Sequence, residues 1–258
     1  MKASRLMFTL LLASSVAVVQ LAAQQTNLDQ KPIKEVKANA EAGNAQSQVE
    51  LGHRYEKGEG VVKDQVEAAK WYRKAAEQNF ALAQYSLGIC YELGAGVAKD
   101  QTEAVKWYRK AADQNFAPAQ NNLGVCYALG EGLRMDQEEA VKWYRKAAEQ
   151  NLALAQNNLG TCYSNSEGVA QDWEEAVKWY RKAAEQNFAA AQYNLGFCYI
   201  RGQGVADDLV EAYKWELLAS RQGDEDAKKL KTWLEKIAFL KPDQIAQAQK
   251  RAQEFKPR

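Results

Sequence analysis

The ten residues "EAVKWYRKAA" at 103–112 determine how this chain folds. The same ten residues return at 139–148 and at 175–184, and a near copy, "EAAKWYRKAA", occupies 67–76. A catalytic site is assembled once, from different side chains, whereas these copies recur every 36 residues. A phrase repeated at a fixed period is typical of a structural unit that stacks on its neighbours.

The repeated phrase has the apolar pattern of an amphipathic helix. In the copy at 103–112, Ala104, Trp107, Tyr108, Ala111 and Ala112 fall at the spacing of one helical face. We therefore interpret the Trp–Tyr pair as core packing rather than as a ligand-stacking surface.

The period divides most of the chain into five repeats: 44–79, 80–115, 116–151, 152–187 and 188–223. The first half of each repeat carries Leu-Gly and then Tyr, which predicts a first helix whose glycine marks a close approach between helices. A Gly-x-Gly loop connects the two helices, except in the fourth repeat, where Ser166 replaces the first glycine.

Both ends of each second helix are marked in the sequence. An Asp-x-x-Glu pattern precedes it, which predicts a capping box in which the Asp and Glu side chains each accept from backbone N–H groups. An Asn or Gly follows it, and these residues readily adopt the left-handed conformation just past a helix end.

These patterns predict an all-α fold, an α/α solenoid of antiparallel helix pairs. No single repeat can bury both of its apolar faces, but stacked neighbours can. Residues 24–43 hold a half-repeat helix, and residues 224–258 supply capping helices. The first of these caps carries Ala227, Leu230, Trp233, Leu234 and Ile237.

The N-terminus predicts export. Lys2 and Arg5 precede an apolar stretch that ends in small residues, which is typical of a signal peptide spanning 1–23 and cleaved after Ala23. A retained membrane anchor is the alternative. We expect an exported monomer in the periplasm or outside the cell, with no stable membrane span after cleavage. A net charge of +1 gives no indication of nucleic-acid binding.

Neither a metal site nor a catalytic site is indicated. The cysteines Cys90, Cys126, Cys162 and Cys198 occur once per repeat, and equivalent helices of a stack lie too far apart for them to form disulfides. The chain has a single histidine, His53, and lacks a Ser-x-x-Lys motif, a P-loop and a His-Glu-x-x-His motif. We predict no catalytic residues, no metal and no cofactor.

The stretch "AQYSLGICYELGAGVAKDQTEAVKWYRKAADQN" at 83–115, with its copies, resembles the Sel-one-like repeat family, a relative of the tetratricopeptide repeats. The resemblance covers about 44–223. It implies a right-handed superhelix and an adaptor function, and exported bacterial members are linked to envelope functions and host contact. A cysteine-rich branch is described as binding or hydrolysing β-lactams, which gives a β-lactamase-like hydrolase as a further alternative function by family analogy. The repeats of that branch have two cysteines where these have one.

The first helices differ among the repeats along one stripe. By analogy with tetratricopeptide arrays, we predict that this stripe avoids the packing face and lines a concave groove that binds a protein or peptide partner. The predicted groove residues are Tyr85, Ser86, Ile89, Asn121, Asn122, Val125, Asn157, Asn158, Thr161, Tyr193, Asn194 and Phe197. Asn side chains both donate and accept, which suits them to the backbone of an extended peptide.

Two other interpretations of these side chains stay open. The differences among the repeats are also what neutral variation at exposed positions would give. Alternatively, Tyr85, Tyr193 and Phe197 present aromatic faces that could stack on the sugar rings of an envelope glycan or peptidoglycan.

Overall fold

A computed structural model describes residues 32–236 and 240–257. The predicted signal peptide and Ile237 lie outside the described residues. Every element within the described ranges is a helix, and the thirteen helices are α1 Ile33–Glu41, α2 Ala45–Lys57, α3 Gln65–Glu77, α4 Ala81–Leu93, α5 Gln101–Asp113, α6 Ala117–Leu129, α7 Gln137–Glu149, α8 Ala153–Asn165, α9 Trp173–Glu185, α10 Ala189–Arg201, α11 Leu209–Arg221, α12 Glu225–Lys236 and α13 Pro242–Glu254.

The chain folds as two compact units that divide between Met135 and Asp136. In the first unit, each of α1 to α5 packs on the helix that follows it. In the second unit, α7 to α11 pack in the same serial order, and α12 and α13 both pack on α11. The predicted all-α class and its helix pairs are therefore confirmed.

The second helices begin as predicted, with one correction. Asp100 Oδ1 accepts from the backbone N–H of Glu103 at 3.0 Å. The Glu103 carboxylate does not reach back to the cap, because the Asp100 N–H already donates to the carbonyl oxygen of Tyr91 at 2.9 Å. Glu103 pairs with Lys106 one turn further on. Half of the predicted capping box is thus replaced by a surface ion pair.

The helix ends also behave as predicted. Asn79, Asn115, Asn151 and Asn187 all have a positive φ of 62–66°. Ser166, which follows the first helix α8, also has a positive φ, of 60°. The other repeats have a glycine at this position, and glycine adopts this conformation more readily than serine.

Close packing of paired helices explains the glycine of the Leu-Gly pair. A methyl group placed on Gly88 would lie 2.6 Å from Cε1 of Tyr108 on the next helix. The Tyr108 ring is fully buried, and Trp107 beside it is 8% exposed. The Trp–Tyr pair is therefore core, as the helical spacing indicated.

The four cysteines are unpaired and buried. Burial raises the pKa of each thiol to about 12. They are therefore protonated thiols in the core, and the prediction that they do not form disulfides is confirmed.

Two capping helices complete the second unit. Leu234 of α12 and Ala248 of α13 are buried in one cluster with Tyr213 of α11. The Tyr213 hydroxyl donates to Glu235 at 2.5 Å, and the Phe255 ring packs edge-on against Trp215 at 5.5 Å. Leu217 of α11, which stands where the earlier second helices have Arg, packs against the same cluster.

Candidate functional site

The predicted groove residues fall into two sets, one in each unit. The first stripe comprises the six on α4 and α6, namely Tyr85, Ser86, Ile89, Asn121, Asn122 and Val125. The second stripe comprises the six on α8 and α10, namely Asn157, Asn158, Thr161, Tyr193, Asn194 and Phe197.

Most of the first stripe is buried, which corrects the expectation that it avoids the packing face. Tyr85 is 2% exposed and Asn121 is 1% exposed, and Asn122 and Val125 are buried as well. Ser86 and Ile89 keep partial exposure. Helical spacing places all six on one face, but neighbouring helices cover part of that face.

Tyr85 is enclosed by other aromatic rings. Its ring lies 5.8 Å from Tyr108 and 5.4 Å, edge-on, from Phe116. Burial raises the pKa of the Tyr85 hydroxyl, and a hydrogen bond with Asn122 opposes that rise. A ring held in this way has no free face to stack on a sugar, so Tyr85 is excluded as a glycan-stacking residue.

The second stripe is more open. Asn157 is 5% exposed, whereas the other five side chains are partly exposed. Asn194 donates through Nδ2 to Oδ1 of Asn157 at 2.9 Å, which ties α10 to α8. The Arg201 guanidinium lies 4.9 Å from the centre of the Phe197 ring, so one face of that ring is already occupied.

The remaining polar side chains of the second stripe are ordered by local bonds. The Thr161 hydroxyl donates to the carbonyl oxygen of Asn157 at 3.0 Å and accepts from the Tyr180 hydroxyl at 3.3 Å. The accessible surface of this stripe thus consists of positioned amide and hydroxyl groups beside aromatic rings.

The sequence analysis did not predict a polar network, which we call the Gln–Asn lattice, that joins a buried glutamine of each first helix to exposed or partly exposed Asn and Gln side chains. Gln84 Nε2 donates to Oδ1 of Asn79 at 3.1 Å, and Gln84 Oε1 accepts from Gln114 at 2.7 Å. Gln114 also donates to Asn79 at 3.2 Å. Asn79 follows the end of α3, Gln84 lies in α4 and Gln114 follows the end of α5. The lattice therefore links three consecutive helices through side-chain hydrogen bonds.

The same lattice recurs in the second unit. Its members there are two equivalent triplets, Asn151 with Gln156 and Gln186, and Asn187 with Gln192 and Gln222. The sequence signal is a glutamine kept at the same register of every first helix, where an exposed residue would be free to vary. Because the glutamine of each first helix is buried, its hydrogen bonds to the other two side chains specify how the repeats join.

Nothing in the described part of the chain has the arrangement of a metal centre, since no three His, Cys, Asp or Glu side chains converge there. The pKa of Glu92 is raised by burial, and that of Tyr108 is raised well above its usual value by burial and by the nearby Glu92.

Within residues 32–236 and 240–257, no helix is both long and apolar enough to cross a membrane.

Comparison with known families decides the identity of the repeat. The Sel1 repeat profile matches residues 45–80, 81–116, 117–152, 153–188 and 189–224. The chain belongs to the Sel1 repeat family. Sel1 repeat proteins often mediate protein–protein interactions, and they are generally non-enzymatic scaffolds.

Solved structures of Sel1 repeat proteins share this fold. A protective antigen of uropathogenic Escherichia coli, described as having an SLR fold, is 36% identical with a TM-score of 0.77 over 86% of this chain. The chain spans about half, 49%, of that antigen's length. A Sel1 repeat protein from Oxalobacter formigenes is 36% identical, with a TM-score of 0.73 over 85% of this chain and 96% of that one. No curated protein matches the sequence.

Proposed function

We propose that this Sel1 repeat chain is an exported, monomeric scaffold that binds a protein or peptide partner along the accessible parts of its two stripes. The observation that carries the proposal is the contrast between repeated and varied positions. The Gln–Asn lattice and the Trp–Tyr core repeat almost unchanged, whereas Ser86, Asn158 and Tyr193 lie on accessible surface that differs from repeat to repeat.

The chemistry of these positions supports an extended polypeptide as partner. Asn158 and Asn194 are partly exposed, and the Asn side chain both donates and accepts, which suits contact with the N–H and C=O groups of a peptide backbone. The partly exposed Tyr193, Ile89 and Phe197 offer apolar contact beside them. Amide groups give backbone recognition, and apolar neighbours give preference among side chains.

Export is tested by the mass of the protein recovered from its native host. We expect a chain that begins at residue 24, because the small residues Ala22 and Ala23 end the apolar segment. Intact-mass measurement of the periplasmic and extracellular fractions checks this. A full-length chain in the cytoplasmic fraction alone would contradict export.

Partner binding is tested by adding charge to the stripes. The variant Ser86→Arg/Asn158→Arg changes one partly exposed residue in each unit at equivalent registers. In chemical crosslinking in the native cell, we expect this variant to capture at least ten-fold less partner than wild type, because the long cationic side chains block the stripes. Mass spectrometry of crosslinked peptides identifies the site.

The matched control adds the same charge elsewhere. Thr102→Arg/Ala170→Arg changes two exposed residues outside the stripes, one in each unit. It should keep wild-type capture, and circular dichroism should show the helical content of all three proteins to be the same. Equal capture by both variants, or crosslinks mapped outside the stripes, would refute the stripes as the binding surface.

A further inference from the structure

The last second helix buries an acid where the earlier repeats bury a tyrosine. Tyr72, Tyr108, Tyr144 and Tyr180 are followed at the same register by Glu216 of α11. Glu216 is 0% exposed, and neither of its carboxylate oxygens has a hydrogen-bond partner among the described residues. An isolated ionised carboxylate in such a site is strongly unfavourable, so the group favours its neutral form.

Glu216 occupies the close approach between α10 and α11. A methyl group placed on Gly196 of α10 would lie 2.4 Å from Oε1 of Glu216, which shows that the carboxyl group packs directly on that helix. Tyr108, at the equivalent register, hydrogen-bonds to Asn122 of the following first helix. The residue of α12 at the Asn122 register is Leu230, which cannot form such a bond.

The joint between α11 and α12 also lacks the Gln–Asn lattice that links the earlier repeats. Gln222 completes the Gln–Asn lattice with Gln192 and Asn187, but the lattice goes no further. At the next glutamine register, α12 has Lys228, whose ammonium group pairs with the exposed Glu225. The Tyr213–Glu235 hydrogen bond and the packing of Leu234 remain to hold this joint.

Charges near Glu216 do not stabilise its ionised form. Asp224, just past the end of α11, raises the pKa of Glu216 further by like-charge repulsion. Seven basic groups of α10 to α13 are engaged in other contacts, namely Lys214–Glu211, Arg251–Glu211, Lys228–Glu225, Lys229–Asp226, Lys231–Glu235, Lys250–Glu254 and Arg201–Phe197. The side chains of Arg221 and Lys236 are exposed.

We propose that the joint between α11 and α12 is a proton-sensitive cap, which is docked while Glu216 is neutral and loosens when Glu216 loses its proton. Undocking α12 would bring water to the carboxylate, so proton release and cap opening favour each other. Burial raises the pKa of Glu216 to about 10. The free energy needed to open the cap therefore falls as the pH rises towards that value.

Hydrogen–deuterium exchange by mass spectrometry on the full chain tests this proposal. Protection factors, which correct for the intrinsic pH dependence of exchange, are compared at pH 6 and pH 8.5. We expect wild-type peptides covering α12 to lose at least ten-fold of their protection at the higher pH, while peptides of α8 and α9 in the same unit change less than two-fold.

Two variants separate a role of Glu216 from a general effect of alkaline pH. Glu216→Gln keeps the size of the side chain but cannot ionise, so its α12 should change less than two-fold between the two pH values. Glu174→Gln removes an exposed acid of α9 and should behave like wild type. Equal loss of α12 protection in Glu216→Gln and wild type, or no loss in wild type, would overturn the proposal. Matching circular dichroism spectra confirm that each variant is folded.

Discussion

Replacing Gly96 with alanine is expected to lower the free energy of unfolding by about 3 kcal/mol. Gly96 is the second glycine of the loop between α4 and α5, with φ +72°. A methyl group there would lie 1.9 Å from the backbone carbonyl oxygen of Gln65 at the start of α3. Because that oxygen belongs to the backbone, the clash cannot be relieved by rotating a side chain. The loop has to move off the preceding repeat.

The first glycine of the same loop is the matched control. Gly94 has the same φ of +72°, but a methyl group there would meet Cβ of Lys99 at 3.2 Å, which is tight without being forbidden. Gly94→Ala should therefore cost about 1 kcal/mol, chiefly for the left-handed conformation. Urea denaturation followed by circular dichroism measures both. Equal losses in the two variants would mean that the loop accommodates the methyl group by moving at little cost.

Replacing Glu216 with leucine is expected to raise the free energy of unfolding by about 3 kcal/mol at pH 7. The wild-type carboxyl group is buried without a hydrogen-bond partner among the described residues, so at pH 7 it has to take up a proton on folding, and leucine removes that cost. Replacing buried charged groups with apolar residues of similar volume is often stabilising.

The pH dependence of this gain follows from the direction of the pKa shift. Burial raises the pKa of Glu216 from 4.5 to about 10, so the folded chain keeps a proton that the unfolded chain releases. Below pH 4.5 the group is neutral in both states and its contribution to stability is fully present. From pH 4.5 to about 10 wild type loses stability, at about 1.4 kcal/mol per pH unit if Glu216 alone responds.

The advantage of Glu216→Leu should accordingly be small at pH 4 and grow steadily towards pH 8. Urea denaturation at pH 4, 6 and 8 measures it, and Glu174→Leu, at an exposed position of α9, controls for the loss of one acidic residue. A gain that is the same at all three pH values would show that leucine acts through packing and that Glu216 does not titrate with folding.

The sequence by itself determined the helices and their ends. The 36-residue period, the Asp before each second helix and the Asn after it act within a few residues along the chain, so local spacing is enough to place them. It also identified Gly88 as a close approach, because a glycine retained inside a helix implies a neighbour that excludes a side chain. The family and the identity of the core side chains followed from the same repetition.

Only the tertiary structure decided which side chains of a face are covered. Helical spacing places Asn121 and Ser86 on related faces, yet Asn121 is buried and Ser86 is not. The Gln–Asn lattice and the unpartnered carboxyl group of Glu216 were equally hidden, because their partners lie on other helices or are missing from them. Burial and hydrogen bonding are properties of neighbours brought together by folding, and periodicity along one helix carries no information about how closely the next one packs.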